Sequence, residues 1–257
     1  MSTLNQTQNK LHHLSQTLAA FSNSYLDKAE DDSQSNLLWS VEKEAIISRS
    51  VNNIHLELHI KDLVLKLVSP TETITLDVLG LAKTDLDSWL KKHLSLVSLD
   101  ENRFNYNLGF SLDSDHTTFI DLDTDAEKSI LELINHRNFC QNALESISKA
   151  YKNATEIRIW PHHFDTGMLI DLSSQHDMSK GLGLGYAIAD SLSDLPYFYT
   201  YGWGIPIDYN SLSSLKNGLW IDKEWKGALL AANNSITFKD IENFYLEASS
   251  VLVDKLS

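Results

Sequence analysis

Very little in this sequence can brace a fold from outside its core. A single cysteine, Cys140, in 257 residues excludes any intrachain disulfide. That usage fits a reducing compartment. Four prolines and ten glycines exclude a collagen-like or low-complexity chain. Basic residues are the scarcer sign, 21 Lys and Arg against 35 Asp and Glu, for a formal charge of −14. They are scattered, with no basic stripe. A nucleic-acid backbone or an anionic membrane surface would be repelled, so neither is expected as a partner. No apolar run approaches the ~20 residues that span a bilayer. The opening MSTLNQTQNKLHHL lacks the basic-then-apolar order of a secretory leader. The expectation is a soluble cytoplasmic protein. With 42% hydrophobic residues, a chain this long can bury a large core unaided.

What is present is periodic. Leu4, Leu11, Leu14, Leu18, Phe21 and Tyr25 recur at helical spacing over residues 4–28. The stripe is short, which favours a surface helix laid on a sheet over a coiled-coil strand. NLLWSVEKEAIISR, IHLELHI, LVLKLVS and TITLDVLG then read as strands of an antiparallel meander. TDLDSWLKKHLSLV reads as a helix capped by Thr84. Phe104, Tyr106, Leu108 and Phe110 alternate as a strand would, with TTFIDLD as a partner, and a Thr124–Glu127 capping box opens a long helix. EIRIW, TGMLIDLS, GLGLGYAIAD and PYFYTYGW follow as strands, with two shorter ones near 217–222 and 226–232. A last helix starts at Thr237 and Asp240. The fold class is α+β, antiparallel sheets covered by long helices. Two similar helix–strands–helix halves, 1–123 and 124–257, are expected, and length alone also allows one continuous domain.

The chemistry-bearing stretch is IWPHHFD, Ile159 to Asp165. Pro161 cannot donate to a ladder, so it marks a corner. In an extended chain His163 and Asp165 share a face and His162 lies opposite. An Asp that orients an imidazole is half of a general-base pair. A divalent metal would need about three protein ligands, so His162, His176, Asp190 or a residue from the first half would have to converge with these two. The alternative is a hydrogen-bonded structural corner.

Gly181, Gly183 and Gly185 are too closely spaced for a dinucleotide loop, and no helix follows. They read as one bare face of a strand, open to the close approach of something flat. Tyr197, Tyr199, Tyr201 and Trp203 share a face of the next strand. Either these rings cover the glycines, or wall and bare strand line a pocket for a planar or sugar-like ligand, with Trp160, His163, Asp165 and Asp190 at its mouth. His55 and His59 flank Glu57 on one strand face, which apolar alternation marks as solvated.

EIRIWPHHFDTGMLIDL and GLGLGYAIADSLSDLPYFYTYGW together resemble a bacterial family catalogued as a domain of unknown function. Its shared elements are a Trp-Pro-His-His-Phe-Asp turn, a Gly-rich strand ending in Asp, and a Pro-Tyr-Phe-Tyr run. SNLLWSVEKEAIISR and the strands after it look like those of a related family. The resemblance implies a shared fold and points to the same residues, and it brings no activity. Two functions stay open. One is a small-molecule enzyme with His163 as acid–base, Asp165 orienting it and His162 beside it, alone or with a divalent metal. The other is a non-catalytic ligand-binding or protein-interaction module that uses the aromatic strand face.

Overall fold

The computed structural model describes residues 3–112, 124–233 and 235–257. The chain divides into two compact units, Met1–Ile134 with Ile159–Phe164, and Asn135–Arg158 with Asp165–Ser257. The division falls inside a long helix and not at residue 123. It also assigns the Pro-His-His turn to the first unit. The strand expected at 117–123, and the Thr124 cap, fall on residues and side chains outside that description.

The first unit opens with α1 (Thr3–Tyr25). Five strands follow: β1 (Leu38–Ser40), β2 (Ala45–Ile47), β3 (His55–His59), β4 (Val64–Val68) and β5 (Thr73–Asp77). They pair antiparallel in chain order, as a meander. NLLWSVEKEAIISR is not one strand. It folds back as the β1–β2 hairpin, pairing Trp39 with Ile46, and Glu44 turns the chain at φ 48°. Leu56, Leu58, Leu65 and Leu67 are fully buried on one sheet face, and α1 packs against β3. α1 is more than a surface helix: Gln8, Ser15 and Thr17, which flank its apolar stripe, are buried with Leu11, Leu14 and Leu18.

α2 (Lys83–Leu96) follows Ala82, which supplies no side-chain cap, so Thr84 lies inside the helix. Leu86, Leu90 and Leu94 are its buried stripe. Among the described residues the segment 104–110 enters no ladder, and its alternation serves another purpose. Its Tyr106 instead ties helices together. The hydroxyl donates to Asp87 of α2 at 2.6 Å and lies 3.1 Å from Thr17 Oγ1 of α1.

The second unit holds the end of α3 (Thr124–Ser148) and α4 (Phe238–Leu256). Between them in the chain come β6 (Arg158–Trp160), whose Ile159 and Trp160 belong to the first unit, and then β7 (Asp165–Asp171), β8 (Gly181–Ala187), β9 (Tyr197–Trp203), β10 (Leu219–Asp222) and β11 (Lys226–Ala231). Within the unit the strands pair antiparallel in the order β10-β11-β9-β8-β7. The inner strands bury Leu182, Leu184, Tyr186, Phe198 and Thr200 on one face, and α4 packs on β8 and β9. Thr237 and Asp240 form the expected capping box: Asp240 N–H donates to the Thr237 hydroxyl, and Thr237 N–H to Asp240. Among the described residues no helix is long and apolar enough to cross a membrane.

Candidate functional site

The Pro-His-His turn is a corner by construction. Phe164 takes a left-handed φ of 59°, and its N–H donates to Trp160 O at 2.7 Å. The chain is therefore not extended here, and the shared face of His163 and Asp165 is lost. Pro161 contributes its carbonyl, which accepts from His12 Nε2 at 2.7 Å and Gln16 Nε2 at 2.9 Å, both on α1. That contact fixes the proton of His12 on Nε2, because a carbonyl only accepts. Phe164 is fully buried and stacks on His12, with ring centroids 5.0 Å apart. Ile159 exchanges two backbone hydrogen bonds with Leu37. His162 and His163 are left exposed at the tip, rings 4.3 Å apart, with Trp160 edge-on to His162.

In the second unit the register explains the glycines. Gly181, Gly183 and Gly185 of β8 stand opposite Trp203, Tyr201 and Tyr199 of β9. A methyl group at Gly183 would come within 2.3 Å of the Tyr201 ring, one at Gly181 within 2.5 Å of Trp203, and one at Gly185 within 2.6 Å of the Tyr199 ring carbon. Gly227 of β11 is covered likewise by Trp225, at 2.4 Å. So each glycine is roofed by a ring, and Gly183 offers no bare backbone to a ligand. Of the two sequence readings, the covering one describes this strand pair.

The Tyr199 ring crosses Gly185, which is paired with Gly167 on β7, so that its hydroxyl donates to Asp165 Oδ2 at 2.6 Å. Burial foremost, then the Asp165 charge, raises the Tyr199 phenol well above its usual range, so it stays a donor. Tyr197 donates to Asp190 Oδ2 at 2.9 Å, and Trp203 Nε1 to Met178 O at 2.8 Å. Asp190 also accepts from Leu192 N–H, so it organises a turn. Tyr197 is only 4% exposed and packs with Ala187 and Leu229, which makes it core. Tyr199, Tyr201, Trp203 and Trp225 are half-buried. Centroids along β9 lie 6.3, 6.2 and 6.0 Å apart, and Trp225 stands edge-on to Tyr201 at 6.4 Å.

Behind the sheet lies Arg137, 0% exposed, donating to Thr166 Oγ1 at 2.7 Å. Burial lowers its pKa to about 10, a fall opposed by Tyr186, Cys140 and Asp165. Asp165 thus serves a tyrosine and a buried guanidinium. His136, pushed to about 4 by burial, shares a 3.3 Å hydrogen bond with Tyr186. Cys140 is buried, its thiol raised to about 12 by burial, with Tyr245 Oη at 3.7 Å.

The first unit holds a second polar constellation. Glu57 of β3 is 3% exposed. Lys43 Nζ donates to it at 2.5 Å, His55 Nε2 lies at 3.0 Å and His59 Nε2 at 2.8 Å. Burial alone would raise this carboxyl; the hydrogen bonds from Lys43, His55 and His59 outweigh it and hold it at about 2. The face read as solvated therefore hides an ionised carboxylate.

The sequence reading placed Glu57 on a solvated face and passed over Arg137 and Lys43. Arg137 carried a signal, since it falls on the buried stripe of Leu133, Cys140, Leu144 and Ile147. Lys43 carried none, because the turn that delivers it had not been recognised. Among the described residues no three His, Cys, Asp or Glu side chains are placed to hold a metal ion. No family model, no curated protein and no solved structure matches this chain.

Proposed function

We propose that the second unit is a non-catalytic ligand-binding module, and that Tyr201, Trp203 and Trp225 make the contact. One observation carries this reading: half-buried rings at about 6 Å intervals, laid flat on glycines and tied down at Tyr199 and Trp203 by hydrogen bonds. A rigid ring with one face on backbone leaves its other face for stacking, and little conformational entropy is lost on binding. A pyranose ring suits such a surface, with C–H groups for the ring faces and hydroxyls for the polar tips. The charge of −14 disfavours nucleotides and other anions, which selects a neutral saccharide. The acid–base reading centred on His163 is weaker, because Asp165 already serves Tyr199 and the turn breaks the shared face.

Calorimetric titration with neutral hexasaccharides of different linkage tests the proposal. At least one should bind with a dissociation constant in the range of about 10 µM to 1 mM. Trp203→Ala and Trp225→Ala should each weaken it by about tenfold, the worth of one aromatic contact, while His163→Ala leaves it unchanged. Full binding in both tryptophan variants would rule the face out. A loss confined to His163→Ala would return the site to the turn.

A further inference from the structure

A second recess in the same unit lies away from the aromatic row, where the end of α3 meets α4. It is an open cleft of about 250 Å³. Its floor is Ile147, 4% exposed, and the ring of Tyr245, whose hydroxyl is turned to the Gly185 carbonyl at 2.6 Å. Leu246 and Val253 form one wall and Tyr151 borders it. Leu246 is 53% exposed.

The polar groups are few and of one kind. Ser249 is 3% exposed, and its Oγ, buried in this wall, has no hydrogen-bond partner. A buried hydroxyl left unpaired is a cost that the fold carries. Asp254 stands exposed at the mouth, one helical turn beyond Ser250, and enters no ion pair among the described residues. No Lys, Arg or His lines the cleft. Apolar walls, two aromatic rings and a lone carboxylate at the rim attract a cation with an apolar body and repel an anion.

We propose that this cleft binds a small primary amine, its ammonium on Asp254 and its apolar body against Ile147, Leu246 and Val253. The site is independent of the saccharide face.

Three probes of one size test it on the full chain at neutral pH: phenethylamine, 2-phenylethanol and 3-phenylpropionate, each titrated by NMR. The amine should saturate with a dissociation constant of about 0.1–1 mM, as expected of a ligand with so few atoms. It should shift Leu246 and Ser250 signals, while the alcohol binds at least about fivefold more weakly and the acid more weakly still. Asp254→Asn, at an exposed position that leaves the fold alone, should weaken the amine by about fivefold and the alcohol not at all. Trp203→Ala should leave amine binding intact, so failure here and failure of the saccharide face are distinguishable. Equal affinity for amine and alcohol, unchanged amine affinity in Asp254→Asn, or no saturable binding would each overturn the proposal.

Discussion

Both units pack a helix on an antiparallel sheet, yet they treat the sheet's other face in opposite ways. In the first unit that face carries His55, Glu57 and His59, and its centre is a carboxylate closed over by Lys43. In the second it carries Gly181, Gly183 and Gly185, closed over by rings. One face is held by charge pairing and the other by shape. Charge pairing answers to pH and tolerates changes of volume. A ring seated on a glycine is indifferent to pH and tolerates no added atom.

The largest effect that follows is steric. A Cβ at Gly185 would meet Thr166 O at 2.2 Å, backbone that cannot swing aside, as well as the Tyr199 ring. Gly185→Ala should cost about 3 kcal/mol in urea unfolding, at the upper end of overpacking. Gly183→Ala, whose three nearest contacts are all atoms of the Tyr201 side chain, should cost about half as much. Equal costs would break the distinction between backbone and ring contacts. In the first unit, Glu57→Gln should cost about 2 kcal/mol, because charge-assisted hydrogen bonds from three neighbours weaken together. Tyr199→Phe, which takes the phenol proton from Asp165, should cost about 1.5 kcal/mol.

Acid sharpens the comparison further. Glu57 is held at about 2 against an ordinary 4.5, so its contribution is complete above pH 4.5 and lost as pH falls toward 2. His136 sits at about 4 against 6.5. The unfolded chain takes that proton first, so the second unit loses stability between pH 6.5 and 4. Urea midpoints measured against pH should lose the upper descent in His136→Phe and the lower one in Glu57→Gln. The smallest effect belongs to the exposed turn. His163→Ala should shift stability by less than about 0.5 kcal/mol.

How much of this could be read from the sequence follows from what each pattern senses. The ladders from His55 to Asp77 and from Asp165 to Trp203 were legible, because alternation with two faces of unlike polarity is itself the sheet. The Thr237–Asp240 cap was legible because it is local. Residues 104–110 alternate in burial, with Tyr106 reaching Thr17 of α1, and no local rule separates that from a strand. The buried state of Glu57 was hidden because alternation records which face a residue occupies and not what folds over it. Lys43 does the folding over, from a hairpin turn that had been read as strand. In the same way the glycines announced a close approach, and the register, a long-range property, decided that the approaching group was the chain's own tyrosine.

The account turns on which unit presents its sheet to a ligand. The indole N–H signals of the six tryptophans report this directly in a ¹H–¹⁵N spectrum, with Trp39, Trp89 and Trp160 in the first unit and Trp203, Trp220 and Trp225 in the second. Titration with the neutral hexasaccharides should move Trp203 and Trp225 along a saturating curve and leave Trp39 and Trp89 in place. Shifts confined to the first unit, or none at Trp203 and Trp225 while a saccharide demonstrably binds, would contradict it.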